Sequence, residues 1–86
     1  MSRPYAFVVP DAVLQVFESS TKPQRGELLR IFQRLANEPN QVGDFVQTNA
    51  DGRQLQVKRV GQWYVSFWPD HAVAELRIVG LRKLPL

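Results

Sequence analysis

Residues 54–68, QLQVKRVGQWYVSFW, decide the fold class because their pattern repeats every second residue. Leu55 and Val57 alternate with polar neighbours, as in a strand with one buried face. Gly61-Gln62 then forms a tight turn. Residues 63–68 are rich in the aromatic and β-branched residues that favour strands. The stretch therefore predicts an antiparallel hairpin.

The sequence on either side of this hairpin extends the sheet. Before it, residues 45–47 predict a short strand, and Asn-Ala-Asp-Gly at 49–52 is a turn signal in which Gly52 can adopt positive φ. After it, Pro-Asp-His at 69–71 turns the chain, and residues 73–81 predict the last long strand. The C-terminal half is therefore predicted to be an antiparallel meander.

The N-terminal half has a different, helical spacing of apolar residues. Residues 5–9 first predict a short strand. A short helix begins at the proline that follows and runs to about Ser19. A second helix, which Thr21 or Ser20 can cap, ends before Pro39 because a residue that precedes proline avoids the helical region. The two helices predict an αα-hairpin.

These elements predict the order β-α-α-β-β-β-β and a two-layer α+β fold, in which the N-terminal strand and the helical hairpin pack on the antiparallel meander. A chain of 86 residues has room for one core, so residues 1–86 are predicted to form a single domain. Alternation places five apolar residues on the face that the helices cover: Leu55, Val57, Trp63, Val65 and Phe67.

Composition narrows the classes of function. The net charge is +3, a mild basic bias that suits a partner rich in phosphates or an acidic protein. The chain has no cysteine and one histidine, so we expect no metal site and no cofactor, and a reducing cytoplasm as the location. No apolar run reaches the roughly 20 residues that a membrane span needs, so no membrane association is expected.

Basic and aromatic residues fall on the predicted open face and at its strand ends. Alternation places on that face Gln54, Gln56, Lys58, Tyr64, Ser66 and Trp68. Cations neutralise phosphates, and aromatic rings stack on unpaired bases, so this combination suits RNA. His71 lies beside Asp70 in a turn and is interpreted either as a turn residue or as an acid–base group. The residues predicted to bind nucleic acid are Arg53, Gln54, Gln56, Arg59, Trp68, His71 and Lys83.

Four motifs in chain order resemble the RelE/ParE toxin superfamily. They are LANEP at 35–39, DGRQLQV at 51–57, GQWYVSF at 61–67 and VGLRK at 79–83. They are similar to the exit from the family's second helix and to three strands of its meander. The resemblance covers nearly the whole chain. It implies the family's fold, a first strand and helical hairpin followed by a meander.

The resemblance also implies a function. Members of this family are usually toxins of type II toxin–antitoxin systems, and RelE-like members cut mRNA on the ribosome and so arrest translation. The implied partners are a cognate antitoxin, the ribosome and mRNA, in a homodimer or a toxin–antitoxin hetero-oligomer. The implied activity is that of an mRNA endonuclease, and the residues to which it would assign catalysis are Lys58, Tyr64, Arg77 and Arg82.

Two alternatives stay open. Gln54 and Gln56 stand where RelE-like enzymes carry lysines, and Tyr64 stands where they usually carry an arginine. These departures favour either a ParE-like inhibitor of DNA gyrase or a non-catalytic binding module. Arg82 presents a separate conflict, because simple alternation places it on the core face whereas the resemblance places it at the site. A bulge or kink at Gly80 would reconcile the two.

Overall fold

The computed structural model describes residues 4–85, so residues 1–3 and Leu86 of the predicted domain lie outside the described residues. The elements follow the predicted order and confirm the α+β class. They are β1 (Ala6–Val8), α1 (Asp11–Ser19), α2 (Lys22–Asn37), β2 (Phe45–Thr48), β3 (Gln54–Val60), β4 (Trp63–Asp70) and β5 (Glu75–Lys83).

Side chains between the two helices stop α1 and start α2. The Ser20 hydroxyl donates to the Val16 carbonyl at 2.7 Å and so satisfies an acceptor at the end of α1. Thr21 caps α2 through a capping box, in which the Gln24 N–H donates to Thr21 Oγ1 and the Thr21 N–H donates to Gln24 Oε1. The cap is therefore Thr21 rather than Ser20.

The five strands form one mixed sheet in the order β1-β5-β4-β3-β2. β1 pairs with β5 in parallel, and the other pairs are antiparallel, as predicted for the meander. β1 and β2 are the two edges of the sheet. The helical hairpin packs on one face of this sheet, and the opposite face, here called the open face, carries no helix.

The turn between β4 and β5 lies further along the chain than predicted. β4 continues through Pro69 to Asp70, the turn occupies residues 71–74, and β5 starts at Glu75. A proline is compatible with β4 here because the pairing of β4 with β3 ends at Phe67, which leaves that side of β4 without a ladder partner.

The main core lies between the helices and strands β4 and β5. Leu28, Phe32 and Leu35 on α2 pack against the strands, and Phe7 of β1 packs on Phe32 with ring centroids 5.6 Å apart. Trp63, Val65 and Phe67 lie in this core, as predicted. Its buried members are Val13, Leu28, Ile31, Phe32, Leu35, Ala36, Trp63, Val65, Phe67, Leu76 and Ile78.

The faces of β3 are opposite to those predicted. Val57 pairs with Ser66, and Lys58 pairs with the core residue Val65. Because residues paired across an antiparallel ladder project to the same face, Val57 lies on the open face and Lys58 on the helix side. Leu55, two residues before Val57 on the same strand, also lies on the open face. Both apolar residues are buried, but neither belongs to the core under the helices.

The connection from α2 to β2 explains why polar side chains of β3 can lie on the helix side of the sheet. This connection supplies hydrogen-bond partners where the helices do not reach. The Gly43 N–H donates to Gln56 Oε1 at 2.8 Å, and Lys58 Nζ donates to Gln41 Oε1 at 2.6 Å. The predicted placement of Gln54, Gln56 and Lys58 on the open face is therefore wrong.

A bulge in β5 resolves the conflict over Arg82. Ser66 pairs with Gly80 and Phe67 pairs with Ile78, so Val79 has no partner on β4. This extra residue reverses the alternation beyond it. Arg82 consequently pairs with Tyr64 and lies on the open face, not on the core face that unbroken alternation would give.

Candidate nucleic-acid interface

The open face has a groove along its centre, formed by the three antiparallel strand pairs. Its volume is about 560 Å³. Val57 from β3 and Gly80 from β5 lie on either side of Ser66 of β4, because both pair with Ser66 in the ladders. The residues that line the groove are Phe45, Gln47, Val57, Tyr64, Ser66, Gly80, Leu81 and Arg82.

Tyr64 and Arg82 bring a hydroxyl and a cation to one end of this groove. They are direct cross-strand partners, so their side chains leave the sheet side by side. Phe45 of the edge strand packs against Tyr64, with ring centroids 6.0 Å apart in an edge-on arrangement. Arg59 also pairs with Tyr64, from the β3 side. Arginines on both neighbouring strands therefore pair with Tyr64.

Gly80 keeps the groove open next to Ser66. A Cβ at Gly80 would lie 3.2 Å from Ser66 Oγ and 3.3 Å from Ser66 Cβ, which is closer than ordinary van der Waals contact. With no side chain at Gly80, the Ser66 hydroxyl lines the groove. This hydroxyl and the Gln47 amide add hydrogen-bonding groups to an otherwise apolar surface.

The charges on the open face divide into paired and unpaired groups. Arg77 is held by two carboxylates, with its Nε 3.4 Å from Asp70 Oδ2 and its Nη2 3.2 Å from Glu75 Oε1. Within residues 4–85, Arg59 and Arg82 form no salt bridge, and both are exposed. The groove is therefore flanked by unpaired cations, whereas the charge of Arg77 is largely compensated.

A second group of side chains surrounds Trp68 on the same face. Arg53 Cζ lies 3.7 Å from the centroid of the Trp68 ring, and Arg77 Cζ lies 5.8 Å from it. Trp68 and Arg77 are cross-strand partners. Arg53, Trp68 and Arg77 thus come together on the open face, at a distance from the pair formed by Tyr64 and Arg82.

His71 lies far from the groove. It is in the turn after β4, seven residues from Tyr64, which corresponds to about 23 Å along a strand. Its Nδ1 is 2.7 Å from the Tyr5 hydroxyl, and the two rings pack edge to face. This contact links the segment before β1 to the turn, which agrees with the interpretation of His71 as a turn residue.

Several predicted contact residues point away from the open face. Gln54, Gln56 and Lys58 lie on the helix side, as described above. Lys83 pairs with the buried Trp63 and therefore also projects to that side. Of the four residues that the family resemblance would make catalytic, the groove brings together only Tyr64 and Arg82.

We expect Lys58→Ala to leave any affinity of the open face for single-stranded RNA within about twofold of wild type, as for a substitution away from the contacting groups. The side chain projects to the opposite face and donates to Gln41, so its loss removes no group from the groove. Fluorescence anisotropy with a labelled single-stranded RNA measures the effect. A loss as large as that of a groove residue would mean that Lys58 reaches the RNA and that its assigned face is wrong.

The sequence-based site lacks six of the groove residues, and Phe45, Gln47 and Val57 are the three of them on the β2 and β3 side. Phe45 and Gln47 lie on a short strand at the edge, and their alternation places them on one face without showing which. Val57 was assigned to the core. The signal that could have found them is Gly43, because a glycine before a weak strand indicates that two backbones approach closely there.

The chain was compared with models of known protein families, with curated proteins and with solved structures, and none of these comparisons finds a match. Two further properties concern the part of the chain at 4–85. No helix there is long and apolar enough to cross a membrane. No three or more His, Cys, Asp or Glu side chains cluster there as metal ligands would.

Proposed function

We propose that the chain is the toxin of a type II toxin–antitoxin system and that it cuts mRNA through its open face. The observation that carries the proposal is the pair of Tyr64 and Arg82, which stand side by side at the end of a groove flanked by unpaired cations. The resemblance of four ordered motifs to RelE-like toxins supplies the specific reaction.

Cleavage of RNA through attack by the 2′-oxygen needs groups that the groove can supply. The 2′-hydroxyl gives up its proton and its oxygen bonds to phosphorus, while the bond from phosphorus to the 5′-oxygen breaks and that oxygen takes up a proton. The Arg82 guanidinium stabilises the extra negative charge on the pentavalent phosphate. The Tyr64 hydroxyl can move a proton at the reacting oxygens.

The apolar side of the groove suits the base next to the reacting phosphate. Phe45, which is half exposed, offers a surface against which a nucleobase can pack, and Tyr64 adds a second ring. Gln47 and Ser66 can hydrogen-bond the edge of such a base. RNA with unpaired bases fits this arrangement because its bases are free to turn out of the stack.

The test is induced expression of the chain in a bacterial host without any partner gene, followed by primer extension on abundant mRNAs. We expect growth arrest together with new mRNA ends within coding regions that are being translated. The arrest should be relieved by co-expression of an acidic protein encoded beside the gene, which would be the antitoxin. Growth arrest with intact mRNA would overturn the endonuclease assignment.

The cytoplasm is the proposed location, because both ribosomes and the antitoxin are found there. The proposed complex with the antitoxin uses the exposed sheet edges, of which β2 is exposed along its whole length. An unpaired strand edge is a template for strand addition by a second chain. Co-purification of the two proteins and measurement of their mass in solution would give the stoichiometry.

Inhibition of DNA gyrase is a second candidate function. The observation that favours it is the apolar edge of the sheet at β2 and just before it, where Val42, Phe45 and Val46 are at least half exposed, Phe45 on the open face and Val46 on the opposite one. Such a patch suits contact with a protein more than contact with a phosphate backbone. Loss of supercoiling by purified gyrase on addition of the chain would support this candidate, and normal supercoiling at a large molar excess would exclude it.

A further inference from the structure

We propose that Arg53, whose guanidinium lies over the Trp68 ring, is a stacking platform for an unpaired base of the RNA, separate from the groove. This inference rests on the proposal that the open face binds RNA. It assigns to the Arg53 and Trp68 pair a contact that neither residue would make alone. Arg53 supplies the planar surface that the base meets, and Trp68 supports it from below.

Arg53 is held in place by contacts of both its side chain and its backbone. Its Cζ lies 3.7 Å from the Trp68 centroid, which is the distance of two stacked planar groups. The backbone of Arg53 is fixed by the β2–β3 turn, because its N–H donates to Asn49 Oδ1 at 3.0 Å and its carbonyl accepts from the Asn49 N–H at 2.9 Å. The side chain is thus presented by a closed turn.

The guanidinium of Arg53 is accessible to a ligand and keeps its charge uncompensated by a salt bridge among the described residues. Arg53 is exposed whereas Trp68 is half-buried, so the guanidinium is the more accessible member of the stack. Among the described residues Arg53 forms no salt bridge. The Asp51 carboxylate beside it accepts from the Arg53 backbone N–H at 3.3 Å and not from the guanidinium. An unpaired, planar cation is a surface on which RNA bases stack.

The spacing of Trp68 and Tyr64 along β4 is one that a single RNA strand can span. Trp68 lies four residues beyond Tyr64 on the same face, which corresponds to about 13 Å. Successive nucleotides of a stacked strand are about 3.4 Å apart. One RNA strand that places a phosphate at Arg82 therefore reaches Arg53 several nucleotides away. The platform would fix the path of the strand across the face rather than take part in cleavage.

The test separates stacking from charge with the variant Arg53→Lys, which keeps the charge and removes the plane. Binding of two labelled probes is measured by fluorescence anisotropy: an oligoadenylate and an abasic oligonucleotide of the same length. We expect Arg53→Lys to bind oligoadenylate about five- to tenfold more weakly and the abasic probe as well as wild type. The dependence of affinity on salt should stay unchanged because no phosphate contact is lost.

Two further variants complete the experiment. Arg34→Lys makes the same exchange on the helix side, where Arg34 is exposed on α2, and should leave both affinities unchanged. Trp68→Leu should weaken oligoadenylate binding as Arg53→Lys does. The variant that combines Arg53→Lys with Trp68→Leu should bind oligoadenylate no more weakly than the single variant with the lower affinity, because both changes remove the same stack.

The outcomes distinguish this inference from the proposed function. No binding of oligoadenylate by the wild-type chain, equal loss for both probes, or no effect of Arg53→Lys would each overturn the platform, whatever the chain does to growth. If the platform is found but the chain neither arrests growth nor produces new mRNA ends, the inference stands and the proposed toxin activity fails.

Discussion

Arg82→Ala should reduce mRNA cleavage by about 100- to 1,000-fold and abolish growth arrest, because removing one preorganised group that stabilises a transition state has an effect of this size. Arg82 is exposed on the open face and has no salt bridge within residues 4–85 that its loss would disrupt. The measurement is the yield of new mRNA ends per unit of protein, compared with wild type after induction.

The matched control for Arg82→Ala is Arg34→Ala. Both exchanges remove one exposed arginine and change the net charge equally, but Arg34 lies on α2, on the other side of the sheet. Full activity of Arg34→Ala would show that general charge is not the cause of the loss. Unchanged thermal unfolding of Arg82→Ala would show that the fold is intact. Retained cleavage by soluble, folded Arg82→Ala would remove Arg82 from the proposed site.

The role of Arg82 illustrates what the sequence could predict and what it could not. Alternation is a local rule, and it predicted the strands, the main hairpin and the core positions of β4 correctly. It fails wherever one residue is added to a strand, because every side chain beyond the bulge changes face. The bulge at Val79 depends on pairing with β4, which is a long-range contact. The sequence could indicate Gly80 as a place for it but could not fix its occurrence.

The orientation of β3 shows a second limit of the same rule. A period of two indicates that Leu55 and Val57 share a face, but it does not say which face the helices cover. The helices lie over β4 and β5, and the α2–β2 connection covers the helix side of β3 with polar groups instead. The buried apolar residues of β3 thus form part of the open face. This is why the groove has an apolar side that the predicted site lacked.

The β2 strand completes that groove, and Gly43→Ala should detach it. A Cβ at Gly43 would lie 2.6 Å from the carbonyl oxygen of Val57 and 2.8 Å from its nitrogen. These are backbone atoms of an inner strand that cannot turn aside as a flexible side chain can. We expect a loss of about 3 kcal/mol in the free energy of unfolding, at the upper end for overpacking. That is more than half of the roughly 5 kcal/mol that a domain of this size has.

The expected loss has a specific structural origin. The Gly43 N–H bonds to Gln56, the Asp44 N–H donates to the Val57 carbonyl at 2.8 Å, and Asp44 Oδ2 accepts from the Arg59 N–H at 2.7 Å. Moving the chain away from Val57 breaks all three hydrogen bonds together. Phe45 would then lose its contact with the Tyr64 ring, so the proposed cleavage activity should fall even under conditions where the variant remains folded.

The sharpest control for Gly43→Ala is the same exchange at Gly26, for which the expected effect has the opposite sign. Gly26 lies inside α2, and the nearest atom to an added Cβ is Arg30 Nη1 at 3.7 Å, an ordinary contact. Alanine there should raise the free energy of unfolding by about 0.5–1 kcal/mol, because glycine in a helix loses more conformational freedom on folding. Urea denaturation of both variants measures the two effects on one scale. If Gly43→Ala were as stable as wild type while Gly26→Ala behaved as expected, β2 would not lie against Val57 in solution, and the groove would lack the wall that Phe45 and Gln47 provide.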